Sequence, residues 1–193
     1  MVIATRLFTW LVFSLIVATT AVAKDKELTA FDLIKEGNRY IGEHAKDKVV
    51  QIRSEKSINS LTPNIWFVVY YDSTATFKAV EVKFGAGKML DVKRPIRALE
   101  PVTGGSKPLD ITKLKIDSDK AIKIASTDSM LEKITVKSVQ AKLERHEEVA
   151  AWKIKLWAAK LAKPSEQVEI GTIILSAEDG AVLKNELKID RVD

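Results

Sequence analysis

The sequence predicts an α+β fold of two tandem units, each a helix packed on a three- to four-stranded antiparallel sheet. Three observations point there. A helix-like segment followed by strand-like segments occurs twice in the same order. Several of the strand-like segments alternate apolar with charged side chains, as half-buried antiparallel strands do. The densest cluster of chain breakers, Pro95, Pro101, Gly104, Gly105 and Pro108, falls between the two sets. With 193 residues, 46% hydrophobic and 30% charged, the chain is too apolar for a disordered polymer and too broken by charge to cross a membrane repeatedly.

The first 23 residues stand apart. Arg6 is their only charge, an apolar run extends from Leu7 to Val17, and Ala21-Val22-Ala23 ends the segment with small residues. That is the pattern of a secretory leader cleaved after Ala23 to leave Lys24 first. The alternative is a retained membrane anchor, but the run is shorter than the ~18 residues that cross hydrocarbon comfortably. The expected organisation is a leader over 1–23, a first unit over 24–94, a linker or crossover over 95–110 and a second unit over 111–193. The competing organisation is one α+β domain in which the repeated order is coincidence.

In the first unit Phe31, Ile34, Ile41 and Ala45 keep to one helical face over 28–45, and Thr29 with Asp32 makes a capping box. Strand signals follow at Val49–Arg53, Ile65–Tyr71 and Phe77–Phe84, and a turn at Gly85-Ala86-Gly87 leads back into extended chain. Ile65–Tyr71 is apolar or aromatic on both faces, which predicts a central or doubly covered strand. In the second unit Asp117 or Ser118 caps a helix over 118–125, and strands follow at Val136–Leu143, Ala151–Leu161 and Val168–Leu175. Trp66-Phe67-Val68-Val69-Tyr70 aligns with Trp152-Lys153-Ile154-Lys155-Leu156, and Gly87–Leu90 with Gly180–Leu183.

The run Asp117–Ala125, the strand Trp152–Leu156 and the turn Ser176–Leu183 together resemble the PepSY module, with its capped A-x-x-x-A helix, aromatic-bearing central strand and acidic glycine turn. The likeness spans residues 114–188 and, more loosely, 28–92, where Ala30 lacks a second matching alanine and Gly85-Ala86-Gly87 replaces the acidic turn. The resemblance implies a cystatin-like packing of helix on curved sheet, export or membrane attachment, and a role in restraining peptidases or acting at the cell surface. It brings no catalytic residue.

Composition removes much chemistry. Without cysteine there is no disulfide, thiolate nucleophile or Cys-ligated metal. His146-Glu147-Glu148-Val149-Ala150 starts like a zinc-protease helix, but Ala150 cannot be the second ligand, so His146 reads as a polar hairpin residue. Gly85-x-Gly87-Lys88 has the wrong spacing for a phosphate loop. Lys and Arg are interleaved with acids along the chain, which speaks against nucleic acid. The expectation is a non-enzymatic protein without cofactor or metal.

The aromatics remain. Phe67 and Tyr71 oppose the parity of Trp66, Val68 and Tyr70, and Trp157 opposes Trp152, which places all three on the wetter sheet face as candidate partner-binding residues. The alternative is that the other half or the long loop covers them. The expected function is therefore an exported binding module, periplasmic or secreted, recognising a protein such as a peptidase. A small-molecule or lipid-binding protein is the alternative.

Overall fold

The computed structural model describes residues 28–94 and 107–193. The leader, with its Ala23/Lys24 boundary, and most of the expected linker lie outside the described residues.

Thr29 begins the first helix through its capping box: Asp32 N–H donates to Thr29 Oγ1 at 3.4 Å, and Thr29 N–H to Asp32 Oδ2 at 3.3 Å. Helix α1 (Ala30–Gly37) is shorter than the sequence pattern suggests. It ends against Tyr70, whose hydroxyl donates to the Ile34 carbonyl at 2.9 Å. The following residues turn, and Ala45 returns to the core. Four strands follow: β1 (Val49–Ser54), β2 (Ile65–Tyr71), β3 (Ala79–Gly85) and β4 (Lys88–Lys93). Ala86 and Gly87, at φ +49° and +74°, make the two-residue turn between β3 and β4, where hairpin twist requires positive φ. After a 3-10 turn at Ile111–Lys113 come α2 (Ser118–Ser126), β5 (Val136–His146), β6 (Val149–Ala159), β7 (Gln167–Ser176) and β8 (Val182–Asn185).

These strands do not form two sheets. All eight join in one antiparallel sheet of order β4-β3-β2-β1-β5-β6-β7-β8, because β1 and β5 pair with each other through Ile52↔Leu143 and Arg53↔Lys142. This overturns the expected α+β pair of tandem cystatin-like or PepSY-like units. The fold is sheet-dominated, with helices of eight and nine residues lying on one side. The physical reason is edge satisfaction. As separate units, each half would leave the outer amides and carbonyls of its first strand unpaired, whereas pairing those strands with each other satisfies both.

The core lies between this sheet and its two helices. Leu33 and Ile34 of α1, with Ala121, Ile122 and Ala125 of α2, pack on the helix-facing side chains Ile52, Val68, Phe84, Leu143, Ile154 and Leu156. Trp66 and Trp152, second residue of β2 and fourth of β6, both point into this core. Their indole N–H groups are satisfied by the carbonyls of Pro63 at 2.9 Å and Ile116 at 2.7 Å.

Candidate functional site

The alternation that sends Ile52, Val68, Leu143 and Ile154 under the helices sends Arg53, Phe67, Lys142 and Lys153 to the opposite face. Nothing among the described residues forms a layer over that face. Across it, Lys83, Phe67, Arg53, Lys142, Lys153 and Ile174 stand directly opposite one another on β3, β2, β1, β5, β6 and β7. Arg53, Lys142 and Lys153 are thus three cations in direct cross-strand register, an arrangement that by itself destabilises a sheet.

Acids at the neighbouring positions offset part of this repulsion. Arg53 Nη2 donates to Glu81 Oε2 at 2.8 Å. Glu144 receives both Lys142 at 2.8 Å and Lys153 at 2.9 Å, and Gln51 Nε2 at 3.0 Å. Burial works to raise the Glu144 carboxyl, but the hydrogen bonds and charges of the two lysines outweigh it and hold the group below its usual range. Lys155 lies 3.5 Å from Glu169. Aromatic rings supply further contacts: the Arg53 guanidinium sits 4.1 Å from the Phe67 ring centre and Lys83 5.1 Å from it, while Lys56 is 4.6 Å and Lys155 5.9 Å from that of Trp157.

A cavity of about 590 Å³ opens at the middle of this face. Arg53, Lys142, Lys153 and Lys155 line it with Gln51 and Gln140, and among the described residues no acid lines it. Arg53 Nη1 is buried without a hydrogen-bond partner among the described residues.

Phe67, Tyr71 and Trp157 all lie on this open face and are half-buried. The two halves sit side by side in one sheet, and Lys56 of the first half reaches over the Trp157 ring of the second. The three do not make one patch. Phe67 stands in the cation row, Tyr71 packs on Val50, Val69 and Ala79 farther along β2, and Trp157 sits on β6 opposite Ser138. Sequence reasoning passed over Arg53, Gln51, Gln140 and Lys142. Their parity was readable, but the β1–β5 register that gathers them was not.

His146 pairs with Val149 across the β5–β6 turn, where Glu147 has φ +56°, so it is a hairpin residue. On the helix side, a second cavity of about 420 Å³ lies by the N-termini of α1 and α2, with Trp66, Ile122, Leu28 and Pro63 among its walls. Among the described residues no helix is long and apolar enough to cross a membrane. Compared with known proteins, the chain matches no family model, no curated protein and no solved structure, so the likeness to PepSY modules rests on the residues quoted for it.

Proposed function

We propose that this chain is an exported, non-enzymatic binding module that receives a protein partner on the open face of its sheet. One observation carries the reading. The helices seal one side of the sheet, while the other presents a cavity lined by Arg53, Lys142, Lys153 and Lys155, with half-buried Phe67 and Trp157 against the cations of that face and Tyr71 farther along β2. Aromatic and arginine side chains on such a surface give large contact area at small entropic cost. Export follows from the leader pattern, and the PepSY resemblance makes an extracytoplasmic peptidase the first partner class to try. The test is a pull-down from an extracytoplasmic extract with wild-type, Phe67→Ala and Trp157→Ala proteins as bait. The expected result is a partner enriched by the wild type and lost by about tenfold or more in the variants, the scale of a central interface residue. Capture that ignores both substitutions counts against the reading.

A second reading, a small apolar or lipid ligand, is favoured by the cavity beside Trp66 and Ile122. It expects native mass spectra of the purified protein to carry an adduct that disappears in Ile122→Trp. Spectra that stay free of adduct after incubation with lipids would remove it.

A further inference from the structure

We infer that the partner lays an extended acidic segment across the open face, with its carboxylates over the row formed by Arg53, Lys142 and Lys153. This rests on the reading of that face as the binding face and names the chemistry of what it takes.

The charge arrangement is the first support. Arg53 stands opposite Lys142 and Lys142 opposite Lys153, so three positive groups are neighbours across the strands. Internal acids do not balance them. Arg53 has Glu81, but Lys142 and Lys153 share the single carboxylate of Glu144, which leaves surplus positive charge in the row. Lys155, paired with Glu169 at 3.5 Å, is a fourth cation on the next position of the same face. Like charges in register repel, and an incoming anion relieves that repulsion, whereas a cationic or neutral partner does not.

Geometry is the second. The cavity is lined by these four cations and, among the described residues, by no acid. Arg53 uses one arm on Glu81, while Nη1 has no acceptor among the described residues, so the guanidinium fork is only half used. With strands about 4.8 Å apart, the row from Arg53 to Lys153 runs about 10 Å. Two acidic side chains of an extended peptide crossing the strands reach both ends of such a row. Phe67 beside Arg53 and Trp157 beside Lys155 offer apolar surface flanking the cations.

The experiment is fluorescence anisotropy with a labelled peptide of alternating Glu and Ala, a matching Lys and Ala peptide, and inorganic phosphate as competitor. The proteins are wild type, Arg53→Gln, Lys142→Gln/Lys153→Gln and Lys155→Gln, each checked for cooperative unfolding. Because Arg53→Gln also strips Glu81 of its partner, Lys155→Gln keeps the test valid if that variant fails to fold. The expected result is binding of the Glu peptide only, weakened about tenfold by the double lysine substitution and severalfold by Lys155→Gln, and weakened by added salt. Phosphate should displace it poorly. No binding to the folded wild type, binding indifferent to the lysine variants, or ready displacement by phosphate would each overturn the inference, the last by showing a compact-anion site. If the peptide fails while the pull-down still depends on Phe67 and Trp157, the acidic chemistry is wrong and the binding face stands. If both fail, both readings fall.

Discussion

The carboxylate of Asp117 serves two helices: its Oδ1 accepts the N–H of Ser118 in α2 at 2.6 Å and that of Phe31 in α1 at 3.2 Å, across 86 residues of sequence. Ser118 Oγ accepts the N–H of Ala30 at 3.0 Å beside it. Two positive helix ends therefore meet at one acid. Asp117→Ala should cost about 2–3 kcal/mol, more than the ~1 kcal/mol of an ordinary cap. Thr29→Ala, which touches α1 alone, should cost about 1 kcal/mol. Urea unfolding of the two variants checks the difference, and equal losses would mean that the shared cap contributes nothing extra.

Gly37 and Tyr70 should be coupled. A Cβ on residue 37 would lie 2.1 Å from the Tyr70 hydroxyl oxygen, the atom that donates to the Ile34 carbonyl. Tyr70→Phe should cost about 1 kcal/mol for the lost hydrogen bond. Gly37→Ala should cost about 2–3 kcal/mol in the wild type through overpacking, and about 1 kcal/mol less in the Tyr70→Phe background, where the clashing oxygen is gone. A double-mutant cycle in urea measures that difference.

Gly171 should be intolerant where Gly42 is not. Gly171 has φ +121°, beside the β-bulge where β7 slips register against Leu156 and Trp157, and an added Cβ would lie 2.2 Å from the Glu186 carbonyl oxygen. Backbone cannot give way as a side-chain tip can, so Gly171→Ala should lose about 2–4 kcal/mol. Gly42, with nothing near its Cβ position, should accept alanine within about 0.5 kcal/mol.

Glu144 should make the fold acid-sensitive. Although burial opposes its ionisation, Lys142 and Lys153 hold its carboxyl below the ordinary value of 4.5. The stability it contributes is therefore complete above that ordinary value and is lost as pH falls through the lowered one. Glu144→Gln should cost about 1–2 kcal/mol at neutral pH. The gap between variant and wild type should close on acidification, and a gap that stays constant from neutral to acid in pH-dependent urea melts would refute the assignment.

Local sequence reached a good part of this protein. The Thr29–Asp32 box, a helix cap at Asp117 or Ser118, the strand at Ile65–Tyr71 and the turn at Gly85-Ala86-Gly87 depend on residues a few positions apart, and the structure has each, with Asp117 as the cap. Parity along one strand also placed Phe67, Tyr71 and Trp157 on the face away from the helices.

Tertiary structure decided the rest. Alternation tells which face a side chain takes, but not which strand edge finds a partner. Pairing Ile52 with Leu143 satisfies two edges at once, and nothing within either strand announces it. The same register makes the site: along the chain, Arg53, Lys142 and Lys153 are charges on separate segments, and they become a row of neighbours only because β1, β5 and β6 lie side by side. Local preference sets the elements, while the long-range demand that each backbone edge be hydrogen-bonded sets which charges meet.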